Sequence, residues 1–105
     1  MDVNDRLVLN RFKNLLSKNL KVKQLVLFGS RARGDADPDS DMDILVILDN
    51  HDQVVEKYVS DCAWEAGIDD GIVICPIIYS TLEWESDITQ YSLLAKMVRE
   101  EGVPV

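Results

Sequence analysis

Apolar residues recur along the chain at two different periods, and the changes of period divide it into helices and strands. Residues 5–24 carry apolar side chains at helical spacing, with basic residues on the other face. Apolar runs of strand length then alternate with longer amphipathic stretches. They predict strands at 24–30, 42–48 and 71–80, a helix at 50–67, and one or two helices at 81–102. The pattern predicts the order α-β-loop-β-α-β-α and therefore an α/β fold.

The length and the apolar content of the chain fit one compact domain. The chain has 105 residues and an apolar fraction of 47%, so we interpret residues 1–105 as a single domain. No apolar run reaches the roughly 18 residues that a membrane span needs. The N-terminal residues lack the basic head and apolar run of a secretory signal. We therefore expect a cytoplasmic protein without a membrane partner.

The charge of the chain narrows the range of its partners. The formal net charge is −8, which argues against broad electrostatic binding to nucleic acid because such binding needs a basic surface. It leaves room for a small site in which a metal ion offsets carboxylates. Cys62 and Cys75 form no CxxC pair, so we interpret both as buried free thiols.

The loop between the first two strands carries the candidate chemistry. It opens with Gly29 and Ser30, directly after an apolar strand. A glycine at this point lets the backbone turn sharply and lets a ligand approach closely. The hydroxyl and backbone N–H of Ser30 suit a phosphate oxygen. Arg31 and Arg33 add positive charge for a polyphosphate.

The same loop ends in a series of carboxylates. Aspartate stands at every second position from 35 to 43, and the last two, Asp41 and Asp43, lead into the second strand. Residues i and i+2 of a strand point to the same face, so these two carboxylates should converge. Convergent carboxylates suit Mg²⁺, which prefers oxygen ligands and completes its shell with water and substrate phosphates. The loop therefore predicts phosphoryl or nucleotidyl transfer chemistry.

Each half of this pattern also has an ordinary structural explanation. Asp and Ser favour turns, so the run at 35–40 is typical of a solvated loop. Strands often end in glycine, and an Asp-x-Asp pair occurs by chance. The combination is more specific than either half, because Gly-Ser follows one apolar strand and Ser40-Asp41-x-Asp43 precedes the next.

These residues also carry a resemblance to a known family. The segment GSRARGDADPDSDMDILV, residues 29–46, resembles the motif of DNA polymerase β-type nucleotidyltransferases. It is most similar to that of minimal nucleotidyltransferases (MNT), single small domains often encoded beside a HEPN-domain protein. The order of elements outside the motif fits as well. The resemblance implies a polymerase β-like nucleotidyltransferase fold, with a small mixed β-sheet and helices packed mainly on one face.

The resemblance also implies an activity and a partner. Gly29 and Ser30 would bind the phosphates of ATP or another nucleoside triphosphate, and Asp41 and Asp43 would ligate Mg²⁺. An NMP group, usually AMP, would pass to a hydroxyl acceptor. In members paired with HEPN proteins, the acceptor is a tyrosine of a toxin that is thereby silenced. The implied role is therefore that of an antitoxin.

One departure from the family pattern leaves an alternative open. The third metal carboxylate of the family usually stands on the next strand, and the corresponding position here is near Cys75. A thiol is a poor Mg²⁺ ligand, because soft sulfur does not suit a hard ion. Asp69 or Asp70 would replace it only if that strand began earlier. The alternative is an inactive or weakly active domain that neutralises a partner by complex formation.

The small size of the domain bears on its assembly. A sheet of three or four strands leaves edges and helix faces uncovered in so short a chain. We therefore also consider a homodimer.

Overall fold

The computed structural model describes residues 2–105 and contains a four-stranded mixed sheet. Its strands are β1 (Val22–Phe28), β2 (Met42–Leu48), β3 (Ile74–Ser80) and β4 (Val103–Pro104), in the order β3-β2-β1-β4. Strand β1 runs antiparallel to β2 and β4, whereas β2 and β3 are parallel. The predicted fold class is confirmed.

The helices follow the predicted order, with more divisions near the C-terminus. They are α1 (Val3–Ser17), α2 (Ser30–Arg33), α3 (Gln53–Gly67), α4 (Thr81–Glu85), α5 (Asp87–Gln90) and α6 (Leu93–Glu101), with a 3₁₀ turn at Ile68–Asp70. Within residues 2–105, no helix has both the length and the apolar character that crossing a membrane requires.

Three local features of the fold differ from the sequence prediction. The single helical turn α2 lies inside the predicted loop, and the short strand β4 follows the last predicted helix. The stretch at 81–102 divides into α4, α5 and α6 because a serine caps each of them. The side chains of Ser80, Ser86 and Ser92 accept hydrogen bonds from the backbone N–H groups three residues later.

Helices α1 and α3 cover one face of the sheet and enclose the main core. Asp2 caps α1 and Asp52 caps α3 through side-chain bonds to backbone N–H groups. The apolar stripes of both helices meet alternate residues of β1 and β2. The fully buried members of this core include Val8, Phe12, Leu16, Leu27, Ile44, Val46 and Val59.

Short helices cover the opposite face of the sheet more thinly. A second cluster forms there around Val26, Phe28, Leu45 and Ile47, and only partly buried residues of α4 and α6 pack against it. The two long helices thus lie on one face, and the three C-terminal helices form a lighter layer on the other. Several large side chains of this layer stay exposed, namely Leu82, Ile88, Tyr91 and Leu93.

Strand β3 forms one edge of the sheet, a position that tolerates a proline. The Met42 N–H donates to the Val73 carbonyl. Because strand residues alternate in direction, Val73 and every second residue after it turn their backbone groups toward β2. Pro76 has the opposite parity, so its missing N–H faces the free edge and costs no hydrogen bond of the sheet.

Candidate active site

The chain turns sharply at Gly29, between β1 and α2. Its φ of +80° lies in the region that favours glycine. Its carbonyl accepts the N–H groups of Ala32 and Arg33 at 3.1 Å, which begins the helical turn. A Cβ at Gly29 would lie 2.6 Å from Oδ2 of Asp43. Glycine is therefore required twice, for the backbone conformation and for the close approach of this carboxylate.

Asp41 and Asp43 stand at the entrance of β2, beside this turn. Asp43 pairs with Phe28 across the sheet and is half-buried, whereas Asp41 precedes the strand and is exposed. Burial raises the pKa of Asp43, and the negative charge of Asp41 raises it further. Two carboxylates so placed repel one another, and a bound cation would relieve that repulsion. The structure thus brings Gly29, Asp41 and Asp43 into one corner.

This corner fits a hard divalent cation in part. Two carboxylates supply the oxygen ligands that Mg²⁺ prefers, and Mg²⁺ usually takes only one or two of them from a protein. Within residues 2–105, no group of three or more His, Cys, Asp or Glu side chains is arranged to hold a metal ion. The remaining ligands would therefore come from water and from the phosphates of a substrate.

Cys75 occupies the place where a third carboxylate would complete the set. It is the register partner of Asp43 on the parallel strand β3, and its thiol is exposed. Partial desolvation by neighbouring atoms raises the pKa of the Cys75 thiol, and the charges of Asp43 and Asp41 raise it further. The thiol is therefore neutral at physiological pH and adds no negative charge to the corner.

The aspartates considered as replacements lie elsewhere. Strand β3 begins at Ile74, and Asp69 and Asp70 belong to the preceding 3₁₀ turn. Asp70 accepts a hydrogen bond from Arg11 of α1 at 2.9 Å. Neither aspartate lies on the strand, and the strand residue that pairs with Asp43 is Cys75.

Arg31 has a structural position that differs from the predicted phosphate contact. Its guanidinium is buried and forms a 2.8 Å ion pair with Asp5 of α1. It also donates to the carbonyls of Ser40 and Pro38, at 2.7–3.0 Å. These bonds tie the aspartate loop to α1 and fix the residue before Asp41. We therefore correct the prediction and assign Arg31 to loop anchoring, because its donors are already engaged.

Arg33 and Ser30 remain close to the turn. The Arg33 guanidinium donates to both carboxylate oxygens of Glu101 at 3.1 Å, and to Asp35 at 3.2 Å. The hydrogen bonds to these two acids raise the pKa of Arg33. Among residues 2–105, the Ser30 hydroxyl has no hydrogen-bond partner, so it is available to a ligand.

Asp5 and Glu101 complete the surroundings of the turn, and sequence reasoning missed both. Asp5 is separated from Arg31 by 26 positions, and Glu101 from Arg33 by 68. Neither acid lies in a local motif. Asp5 lies at helical spacing from the apolar residues Val8 and Phe12, and an acid on this stripe is the sequence signal that could have identified it.

Comparison with known proteins places the chain in a family. Residues 9–103 match the model of the nucleotidyltransferase domain family. The chain therefore belongs to that family, as the motif at residues 29–46 predicted.

Two curated relatives come from Methanocaldococcus jannaschii. The protein named "Putative protein adenylyltransferase MJ0141" is 37% identical over 75 residues, which cover 69% of this chain and 76% of that protein. The protein named "Putative protein adenylyltransferase MJ0604" is 35% identical over 80 residues, which cover 74% of this chain and 76% of the relative.

Two solved structures share the fold. A toxin–antitoxin complex with AMP-PNP contains a chain with a TM-score of 0.64 and 22% identity, covering 90% of this chain and 69% of that one. A complex of a tri-AMPylated Shewanella oneidensis HEPN toxin with an MNT antitoxin contains a chain with a TM-score of 0.59 and 21% identity. The match covers 94% of this chain and 69% of that one. At this identity, the similarity establishes the polymerase β-like fold alone.

Proposed function

We propose that the protein transfers AMP from ATP to a hydroxyl group of a protein in a Mg²⁺-dependent reaction. The acceptor we infer is a tyrosine of a HEPN-type toxin, which would make the protein an antitoxin. One observation carries the nucleotide part of the proposal. The Gly29 turn and the Asp41 and Asp43 carboxylates meet in one corner of a chain that belongs to the nucleotidyltransferase domain family.

The names of similar proteins support the choice of acceptor. Two relatives carry the name of protein adenylyltransferases. Structures of the same fold are described as antitoxins in complex with toxins, and one such toxin carries AMP groups. We therefore choose ATP as the donor and a protein hydroxyl as the acceptor, because both substrates agree with these descriptions.

Each residue of the corner would have a separate part in the reaction. Gly29 and Ser30 would bind the triphosphate through a backbone N–H and a hydroxyl. Asp41 and Asp43 would hold Mg²⁺, which supplies charge neutralisation at the phosphates. The acceptor hydroxyl would lose its proton to water, and its oxygen would form a bond to the α-phosphorus. The bond from that phosphorus to the bridging oxygen would break, and pyrophosphate would leave.

Cys75 favours a second candidate function. A neutral thiol stands where a third carboxylate would bind the metal and take the acceptor proton, and Asp70 is engaged with Arg11. A domain without that carboxylate can still bind a nucleotide and a partner. The second candidate is therefore a binding module that neutralises its partner as a stoichiometric complex. The predicted homodimer stays a prediction, which size-exclusion chromatography would test.

The mass of a co-expressed partner separates the two functions. The chain is produced together with a candidate HEPN-domain partner, and the intact mass of that partner is measured. We expect an increase equal to one or more AMP groups. An unchanged mass, with tight co-purification and loss of toxicity, would support the binding module and contradict the enzyme.

A charge-matched pair of variants controls this experiment. Asp41→Asn/Asp43→Asn removes both proposed metal ligands, and we expect the added mass to disappear. Asp37→Asn/Asp39→Asn removes the same charge from the exposed part of the loop and should leave the added mass intact. AMP transfer that persists in the first variant would show that the metal assignment is wrong.

A further inference from the structure

The backbone N–H of Gly29 already donates to an anion of the chain itself. Its acceptor is Oε1 of Glu101, at 3.2 Å. Nη1 of Arg33 donates to the same carboxylate, at 3.1 Å from each oxygen. The turn therefore holds a negatively charged oxygen group between a backbone N–H and a guanidinium, the two kinds of donor that bind phosphate.

The C-terminal end of α6 fixes Glu101 at this position. The next residue, Gly102, lies so close to its neighbours that a Cβ would come within 2.6 Å of Cγ1 of Val26 and 2.4 Å of the Val98 carbonyl oxygen. Val103 then pairs with Leu27 as β4 joins β1. The Glu101 side chain is consequently held over the end of β1, where the turn begins, and is 20% exposed.

The neighbouring Glu100 has the same charge as Glu101 but a different environment. It lies on the same turn of α6 and is exposed. Among residues 2–105, it has no ion-pair or hydrogen-bond partner. Any effect that belongs to Glu101 and not to Glu100 therefore comes from the contact with the turn, and not from the net charge of the helix end.

A carboxylate and a triphosphate compete for these donors. The Gly29 N–H can donate one well-aligned hydrogen bond, and it already donates to the Glu101 carboxylate. Two negative groups around one N–H and one guanidinium also repel each other at short range. Binding of a triphosphate at the turn would thus require the Glu101 carboxylate to move away.

We propose that Glu101 is an internal competitor for the phosphates of the nucleotide and lowers the affinity of the site. Its carboxylate holds the Gly29 N–H and Arg33 in the nucleotide-free protein and releases both when a triphosphate binds. Arg33 then transfers from the carboxylate to the phosphates, and the carboxylate turns toward solvent. This inference rests on the proposed function, because it takes the Gly29–Ser30 turn as the phosphate site.

Calorimetry of ATP with Mg²⁺ on three proteins tests this competition. In Glu101→Gln the amide oxygen can still accept from the Gly29 N–H, but the negative charge and the ion pair with Arg33 are gone. We expect its dissociation constant for ATP to fall about five-fold below that of the wild type. Glu100→Gln, the charge-matched control, should bind ATP within two-fold of the wild type.

Inorganic tripolyphosphate serves as a second probe, because it lacks the base and the sugar. Its affinity should rise in Glu101→Gln by a similar factor, since the competition concerns phosphate groups only. The Gly29 amide resonance of the wild type should move when tripolyphosphate is added. Thermal unfolding of the three proteins confirms that each is folded under the conditions of the titration.

The outcomes distinguish this inference from the proposed function. Tighter binding by Glu101→Gln than by Glu100→Gln supports the competitor. Equal binding by the two variants, or weaker binding by Glu101→Gln, would overturn it while ATP binding by the wild type still supports the proposed function. Failure of all three proteins to bind ATP would refute the proposed function and this inference together.

Discussion

The two faces of the sheet are built differently. The face under α1 and α3 is closed, and its core side chains, such as Phe12 and Leu27, are fully buried. The face under α4 and α6 is thinner, with helix residues such as Leu94 and Met97 only partly buried. The alternation of strand residues places Asp43 on this second face, together with Leu45 and Ile47.

The difference indicates that stability and chemistry are divided between the two faces. The closed face holds the larger cluster of buried apolar side chains, so we expect it to contribute most of the hydrophobic stabilisation. The open face can leave polar groups accessible at its end, because no long helix covers them. The predictions below test this division, from the largest expected effect to the smallest.

The sharpest test of the division compares one large truncation on each face. Phe12→Ala removes a fully buried ring, and we expect it to lower the free energy of unfolding by about 4 kcal/mol. Leu94→Ala on the open face removes a partly buried side chain and should cost about 1–2 kcal/mol. Urea denaturation measures both. Equal losses would contradict the division.

The buried ion pair of the aspartate loop should matter more than an exposed pair in the same loop. Asp5→Asn leaves the Arg31 guanidinium buried without its counter-charge, and we expect a loss of about 3 kcal/mol in unfolding free energy. Asp35→Asn removes the exposed partner of Arg33 and should cost less than about 1 kcal/mol. Similar losses in the two variants would show that Arg31 does not anchor the loop.

Cys75→Asp tests whether chemistry belongs to the face under α4 and α6, because Cys75 pairs there with Asp43. It adds a carboxylate opposite Asp43, which would complete an oxygen ligand set. We expect the rate of Mg²⁺-dependent AMP transfer to rise about ten-fold. This factor corresponds to about 1.4 kcal/mol of additional stabilisation of the transition state by the new carboxylate.

Cys75→Ser serves as the control for this variant, because it removes the thiol without adding a charge. The transfer of labelled AMP to the co-expressed partner measures both. A lower rate in Cys75→Asp than in Cys75→Ser would argue that the position does not belong to the metal site.

The smallest expected effect concerns the stability cost of Asp43 itself. Burial and Asp41 raise its pKa in the folded state, so the folded protein binds this proton more tightly than the unfolded chain does. Its contribution to stability therefore falls as pH rises from about 4, the unfolded value, through the raised folded pKa. In EDTA at neutral pH, Asp43→Asn should be more stable than the wild type by less than about 1 kcal/mol.

Thermal unfolding across pH measures this difference. The advantage of Asp43→Asn should shrink as pH falls through about 4 and vanish well below that value, where the carboxyl is protonated in both states. A variant that is less stable than the wild type at neutral pH without metal would contradict the sign of the effect.

The sequence predicted the parts of the site that are local in the chain. Gly29, Asp41 and Asp43 could be recognised because strand ends, a turn residue and an alternating pair lie within fifteen consecutive residues. The element order followed from apolar periodicity in the same way. Serine caps at 80, 86 and 92 were visible in the sequence as well, but they were not used to divide the last helix.

The roles of the two arginines could not be predicted from the sequence. Arg31 and Arg33 stand two residues apart in one motif, and both suit a phosphate equally by residue type. Only the fold brings Asp5 to one and Glu101 to the other, from opposite ends of the chain. The local pattern therefore predicted where a site would lie. It could not predict that Arg31 is buried against Asp5 while Arg33 is more exposed beside Glu101.

Calorimetry of ATP binding tests the central claim most directly, namely that Asp41 and Asp43 hold a divalent cation beside a triphosphate at Gly29. ATP is titrated into the wild type with Mg²⁺, into the wild type with EDTA, and into Asp41→Asn/Asp43→Asn with Mg²⁺. We predict binding in the first titration and its loss in the other two. ATP binding of equal strength in all three would contradict the claim.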